Sequence, residues 1–454
     1  MFVARKEELV KLQAAMNQTD YASLVYGKRR VGKTRLIKEA LKNQKKKVIY
    51  YECLRDTIKE NIAALVKVLT ENGIINFSIT FDTFQDVFGY LNTLHDQFVI
   101  VIDEYPYLST FEKTETIDSI FQNIVDNKLA NISLIISGSQ ISIMKSLLNE
   151  GNALYGRFKL SIHLKELDYR DASAFYPSKT PYEKIAFYSV FGGSPFVLQE
   201  LRDDLDLEQN IIRTILSETS PVYLYASNLL LTDYSNAVNI ERILSVLGNG
   251  RKKYSDIEKR LSVSSNGNLA KQLKILTSLE LVRQVFPINR PNDAKKKYYE
   301  IDDYLLRFYY TFIYQNKSAL QMLGSNTFYS EIIEKKLMAD FIPRRFEEIC
   351  RNFLSIKAKQ GDFPGITNIG IYYYDDSEKK KNGEFDVAVE FGKKYELFEA
   401  KYYKDPVTLD EIHREAGQVL KIKELNITGL GFIAPNGFAE KEDGYTYYTG
   451  EDLF

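Results

Sequence analysis

The run Gly27-Lys28-Arg29-Arg30-Val31-Gly32-Lys33-Thr34 sets two glycines, a lysine and a hydroxyl residue at the spacing G-x-x-x-x-G-K-[ST]. The chemistry open to such a run is phosphate binding. Glycines let the backbone close around an anion, and the N–H groups of Lys28, Arg29, Arg30 and Val31 supply the cradle. Lys33 reaches the β- and γ-phosphates and Thr34 holds Mg²⁺. Farther on, Asp103-Glu104 closes the apolar run Phe98-Val99-Ile100-Val101-Ile102. An aspartate at the carboxyl end of a parallel strand can hold the water shell of Mg²⁺, and the next glutamate can orient or deprotonate an attacking water. The two signals together imply hydrolysis of a nucleoside triphosphate.

These groups need a frame. Ala22–Tyr26 reads as a short buried strand, and Leu36, Ile37, Ala40 and Leu41 mark the apolar face of the helix after the loop. Strands expected at 22–26, 47–52, 98–102, 132–137 and 160–164 alternate with helical patterns, which argues a parallel sheet covered on both faces. Ile136-Ser137-Gly138-Ser139 ends the fourth of them, where Ser137 or Ser139 could bond the γ-phosphate or the water; an ordinary turn is the other reading. Arg157, in Leu154-Tyr155-Gly156-Arg157, could place positive charge on a transferring phosphoryl group, against the plainer reading of a surface arginine. From about 166 to 232 the pattern is helical, and Gly193-Ser194-Pro195 sits where a helical lid would approach the nucleotide.

At 454 residues the chain has room for roughly three domains. Its formal charge of −1 offers no global attraction to nucleic acid or anionic membrane, and the lysine and arginine clusters are local. Cys53 and Cys350 stand far apart without metal-ligand spacing, so a reducing cytoplasm fits and a disulfide framework does not. No apolar stretch approaches membrane-spanning length, and no membrane partner is expected.

From about 238 to 301 the text changes. Ile240, Ile243, Leu244 and Leu247 make one helix, Ser255-Asp256-Ile257-Glu258 reads as a capping box opening a second, and Leu269, Leu273, Leu276 and Leu279 stripe a third. Two β-like segments, 281–286 and 297–301, complete the outline of a winged helix. Lys271, Gln272 and Lys274 on the third helix suit phosphate contacts, so DNA is the expected partner. The aromatic run Tyr304 to Tyr314 reads as a packed helix at a domain junction.

The set Gly27–Thr34, Asp103-Glu104, Ile136-Ser137-Gly138-Ser139, Tyr155-Gly156-Arg157 and Gly192-Gly193-Ser194-Pro195, in this order, resembles the archaeal-type ATPase family of the AAA+/STAND branch of P-loop proteins. The resemblance extends to a winged helix followed by a restriction-endonuclease-like domain. It implies an α/β multidomain fold with a five-stranded parallel sheet in the order 5-1-4-3-2. It also implies a helical lid bearing Pro195, ATP as nucleotide, and Arg157 as a sensor or finger in cis or across a subunit contact. The expected domains are 1–165 (ATPase), 166–235 (lid), 236–315 (winged helix) and 328–454 (nuclease-like).

In the last of these, Glu384–Phe391 and Tyr395–Lys401 read as a hairpin turning at Gly392-Lys393-Lys394. Glu399 and Lys401 project from one face, and Asp386 on the paired strand could meet them. This is similar to the D-x(n)-E-x-K signature of restriction-endonuclease-like folds, in which two carboxylates and a lysine hold a divalent metal and an attacking water. Glu347 matches an additional acidic metal position of such folds, and Gln418 a glutamine that some carry. The leading expectation is an ATP- and Mg²⁺-dependent ATPase whose nucleotide state regulates a DNA-directed, metal-dependent nuclease module. The alternative is an assembly or signalling switch, homo-oligomeric on nucleotide binding, whose last domain is catalytically inactive.

Overall fold

Five apolar runs of the first third become strands: β1 (Tyr21–Tyr26), β2 (Lys47–Glu52), β3 (Phe98–Asp103), β4 (Ile132–Gly138) and β5 (Leu160–His163). In the computed structural model, which describes all residues except 1, 77–78, 229–236, 262–267, 292, 377–380 and 420–425, they form one parallel sheet in the order β2-β3-β4-β1-β5. This is the expected order read from the other edge, with strand ends moved by a residue. β3 and β4 are buried along their whole length because helices cover both faces, which is why they read as continuous rather than alternating apolar runs.

One face packs Leu24, Ile100, Ile102 and Leu134 against Phe84, Phe88 and Phe121; the other packs Val25, Val99, Val101 and Ile135 against Leu12, Leu36 and Ile37. The register pairs Tyr26 with Gly138 and Ile102 with Ile136. The carboxyl ends of β1, β3 and β4 therefore lie side by side, so Gly27, Asp103 and Ser139 open onto one crevice.

The chain forms two compact units, Met1–Glu166 and Leu167–Phe454. The second begins with short helices, among them Pro181–Phe191, opened by a Thr180/Glu183 capping box, and Pro195–Leu198. Gly193 is obligatory here: a Cβ would stand 1.8 Å from the Leu167 carbonyl oxygen. Helices Ala237–Gly248, Tyr254–Leu261 and Asn268–Ser278 follow, with an antiparallel sheet of β6 (Lys252–Lys253), β7 (Val282–Val285) and β8 (Tyr298–Ile301) ordered β6-β8-β7. Two details differ from the sequence reading. The second helix starts at Tyr254, with the Lys253 N–H donating to Asp256 Oδ2 at 3.3 Å, so Ser255 lies inside it. The short β6 adds a third strand, carrying too few residues to show a period.

The aromatic run is a packed helix, broadened by a π-turn at Tyr309–Ile313, with Phe308 and Phe312 meeting Phe341. The long helix Ile342–Gln360 then leads to a second sheet of β9 (Asn368–Asp376), β10 (Lys381–Phe391), β11 (Lys394–Ala400), β12 (Ile427–Ala434) and β13 (Thr446–Thr449). Its order is β13-β12-β11-β10-β9, antiparallel from β9 to β11 and parallel from β11 to β13, with the helix Leu409–Val419 between β11 and β12. The loop after β7 is fastened to this sheet: Asn289 exchanges side-chain bonds with both the N–H (3.1 Å) and the carbonyl (2.8 Å) of Tyr373.

A charge network ties these pieces together. Arg283 Nε donates to Glu300 Oε1 at 2.7 Å and its Nη1 to Glu348, while Arg345 Nη1 reaches Glu348 Oε2 at 3.0 Å. Burial pushes Glu348 up, but Arg283 and Arg345 outweigh it and bring the carboxyl down from 4.5 to about 2. Because the folded value is depressed, this contribution is complete above about 4.5 and is lost as pH falls toward about 2. Removing one partner of a buried pair leaves the others uncompensated, so Glu348→Gln should lose about 3 kcal/mol in urea unfolding at neutral pH. The deficit relative to wild type should shrink in acid; an unchanged midpoint at neutral pH would contradict the network's role.

Candidate functional site

The phosphate loop is shaped by steric necessity. At Gly27 a Cβ would meet the Leu164 carbonyl oxygen at 2.1 Å, so only glycine lets the loop leave β1. Arg30 (φ 67°) and Gly32 (φ 95°) both take left-handed backbone, and the helix Lys33–Ala40 starts directly afterwards. Val31 is buried beneath the loop. Lys33 is buried too, and its ammonium donates to the Gly27 and Lys28 carbonyls at 3.0 and 2.9 Å. Burial lowers its pKa to about 8 against the pull of Glu104 and Asp103.

Asp103, 2% exposed at the end of β3, accepts hydrogen bonds on both oxygens. Thr34 Oγ1 reaches Oδ2 at 3.1 Å, the Tyr50 hydroxyl donates to the same oxygen, and the Glu104 N–H reaches Oδ1 at 3.0 Å. The hydroxyl–carboxylate pair of Thr34 and Asp103 is the donor set that suits Mg²⁺, a hard cation that keeps several of its waters. Glu104 has left-handed backbone (φ 52°), which turns its side chain off the strand line toward Ser139. Ser139 Oγ donates to the carboxylate, 2.9 and 2.7 Å from its two oxygens, and the Ser139 N–H lies 3.3 Å from Oε2.

Of the two serines, Ser139 is therefore the one that meets the acid. Ser137 is fully buried, and its hydroxyl has no hydrogen-bond partner among the described residues. Tyr50 escaped the sequence reading. Its signal lay in register, since Tyr50 pairs with Val101 and so shares a sheet face with Asp103 two residues on.

Arg157 lies elsewhere. It precedes β5 at the edge where Lys159 N–H bonds the Ala22 carbonyl, whereas the loop leaves the far end of β1, about 13 Å away at 3.3 Å per residue. Its guanidinium is bidentate on Asp126, at 2.8 and 3.0 Å. The fold does not bring Arg157 to its own loop, so the cis role is set aside. Pro195 is the first residue of its helix in the second unit.

In the second unit, the β10–β11 ladder ends at Val387–Phe398, one step short of Asp386 and Glu399. The β9–β10 register shifts between Phe385 and Ala388, a bulge that frees Asp386 from pairing on that side. Burial, with Glu384 beside it and opposed by Arg251 and Arg351, raises Asp386 to about 6. Burial and Asp386 raise Glu347 to about 8. Lys401 Nζ bonds Glu399 Oε1 at 2.7 Å and Glu415 Oε1 at 3.1 Å, and Gln418 bonds Glu415 at 3.0 Å. Glu415 was not singled out from the sequence; it lies one helical turn before Gln418.

Among the described residues no three His, Cys, Asp or Glu side chains converge as metal ligands. Lys401 bonds Glu399, and Arg251 and Arg351 act on Asp386, yet burial outweighs these cations and Glu347, Asp386 and Glu399 all stay raised.

The first unit thus defines a P-loop ATPase. Residues 2–201 match an ATPase domain found predominantly in Archaea, which places this part of the chain in that family, and residues 309–415 match archaeal and bacterial proteins of unknown function. The chain is similar to an uncharacterized protein of Methanocaldococcus jannaschii, 28% identical over 376 residues and 80% of each chain. A 46-residue stretch is 52% identical to an uncharacterized ATP-binding protein of that organism, covering 10% of this chain and 78% of the relative. Among solved structures, the Walker-type ATPase of Pyrococcus abyssi matches with a TM-score of 0.50 at 19% identity, over 68% of this chain and 96% of that one, a likeness of fold. No helix among the described residues is long and apolar enough to cross a membrane.

The Lys33 environment makes a testable statement. A free-chain pKa of about 8 means the ammonium that meets phosphate is lost as pH rises through that value. Affinity for ADP, followed by calorimetry, should fall several-fold between about pH 7 and pH 9, and Lys33→Arg should flatten the decline. A flat wild-type profile would contradict the assignment.

Proposed function

We propose that this ATPase hydrolyses Mg²⁺–ATP with Glu104 as general base, and that nucleotide state governs a DNA-directed second unit. One observation carries the first half: the Thr34–Asp103 bond and the Ser139–Glu104 bond stand side by side at the loop. When bound, Mg²⁺ would be held by Thr34 and Asp103 and would offset the charge of the phosphates. Lys33 holds the β- and γ-phosphates, while Thr34 and Asp103 offer the cation its protein oxygens. Glu104 accepts the proton of the water as its oxygen attacks the γ-phosphorus and the bond to the β-phosphate oxygen breaks. Ser139 holds Glu104 in place and reports whether it is engaged. Arg157 is assigned to a neighbouring copy's nucleotide, which needs a homo-oligomer.

Glu104→Gln keeps the shape and removes the base. It should bind ATP as tightly as wild type and turn over about 10²-fold more slowly. Wild-type turnover in this variant would remove Glu104 from the role.

For the second unit, we assign 166–235 to a lid bearing Pro195, 236–315 to a winged helix and 328–454 to a nuclease-like module. Lys271 and Lys274 are exposed on the Asn268–Ser278 helix, as backbone phosphate contacts require. The hairpin brings Asp386, Glu399 and Lys401 to neighbouring positions, but the missing three-ligand cluster favours DNA contact without cleavage, or an inactive interaction surface. Wild type, Lys401→Ala and the pair Lys271→Glu with Lys274→Glu should be tested on duplex and branched DNA with Mg²⁺ or Mn²⁺. The paired variant should lose affinity and reduce the salt slope by about two. Cleavage abolished in Lys401→Ala would restore the nuclease reading. No salt-sensitive DNA affinity in wild type would favour the assembly switch.

A further inference from the structure

Two tyrosines stand side by side in β2, and the alternation of a strand sends them to opposite faces of the sheet. Tyr51 joins the face that holds Phe84 and Phe121, and its hydroxyl donates to Asn61 Oδ1 at 2.7 Å. That bond satisfies a buried polar group and serves packing. Tyr50 joins the other face. Its ring packs with the cluster of Leu36, Val99 and Val101, and the Lys38 ammonium stands 5.4 Å from the ring centre. Leu36 and Lys38 both belong to the helix Lys33–Ala40 that starts at the phosphate loop, so the ring is held between β2 and that helix.

The hydroxyl at the end of this packed ring donates to Asp103 Oδ2, the oxygen that Thr34 Oγ1 also reaches at 3.1 Å. Phenylalanine would meet the packing equally well. Nor is the hydroxyl needed to give the carboxylate a first partner, since the Glu104 N–H already holds Oδ1 at 3.0 Å. The bond has a second consequence. A carboxylate only accepts, so the Tyr50 hydrogen is committed to it and the phenol oxygen stays an acceptor. Two hydroxyl oxygens and one carboxylate therefore gather where the helix after the loop begins. A cation that keeps several of its waters needs such acceptors around it.

We propose that Tyr50 is a positioning residue for hydrated Mg²⁺. Its bond fixes the Asp103 carboxylate, and its oxygen adds an acceptor for the waters of the cation. The inference rests on the reading of Thr34 and Asp103 as the Mg²⁺ site and deepens it. Removing an outer partner of a metal site costs about 10- to 100-fold in metal affinity, and a cation held largely through water should show the lower end of that range.

Tyr50→Phe keeps the ring and removes the hydroxyl. The full chain, as wild type, Tyr50→Phe and Asp103→Asn, is titrated by calorimetry with a non-hydrolysable ATP analogue, in EDTA and again with Mg²⁺. The factor by which Mg²⁺ strengthens analogue binding should fall about tenfold in Tyr50→Phe, while affinity in EDTA is kept, which also shows that the variant is folded. Asp103→Asn should lose the Mg²⁺ gain as well. If Asp103→Asn keeps it, the Mg²⁺ site is misassigned and the role of Tyr50 falls with it. If Asp103→Asn loses it and Tyr50→Phe matches wild type, the role of Tyr50 falls alone. Equal losses in EDTA and in Mg²⁺ would make Tyr50 a packing residue, and a larger Mg²⁺ gain in Tyr50→Phe would make its hydroxyl a competitor of the cation; either would overturn the proposal.

Discussion

The carboxylate of Asp103 is the constraint around which the first unit is built. It terminates a strand buried on both faces, where a polar group without partners is costly. Hydroxyls from Thr34 and Tyr50 and the N–H of Glu104 satisfy its two oxygens, with the Lys33 ammonium nearby. The three donors come from different elements: the helix after the loop, β2 and the turn after β3. The same arrangement that satisfies a buried carboxylate therefore fixes the phosphate loop against the central strand. Catalytic geometry and local stability have a common origin here.

The second unit solves a similar problem with full charges on both sides. Arg283, Arg307 and Arg345 surround Glu300 and Glu348, joining β7, β8, the aromatic helix and the long helix before the second sheet. A network of this kind contributes little net stability over an apolar core, but it penalises any arrangement that separates its members. The loop after β7 is pinned to Tyr373 for a related reason, since buried amide groups need partners. The loop after β7 is thereby engaged within its own unit, while Lys271 and Lys274 are exposed.

Where the sequence reading missed, the cause was long-range pairing. Tyr50 looked like an ordinary strand tyrosine until the β2–β3 register aligned it with Asp103. Gln418 was noted without Glu415, because only the packing of their helix sets Glu415 against Lys401. The capping motif at Ser255 was displaced because Lys253 pairs with Tyr298, which starts the helix a residue early. Arg157 lies three residues before β5 begins, and the strand's direction decides which end of the sheet an arginine serves. Glu347 and Glu348 are neighbours in sequence, yet one faces the carboxylates of β10 and rises while the other faces arginines and falls.

By itself the sequence determined the phosphate loop, the acidic pair at Asp103-Glu104, the five parallel strands and the hairpin before Lys401. These features are local: a glycine at a forced turn, an apolar run ending in acids, an alternation of side chains along a strand. The tertiary structure alone decided which serine meets Glu104, that Tyr50 joins Asp103, and that Arg157 lies away from its own loop. It also decided that Asp386 is buried beside Arg251 and Arg351, and Glu399 beside Lys401. Those outcomes depend on distances between residues far apart in the chain. Composition and spacing carry no record of such distances until strand register and helix packing set them.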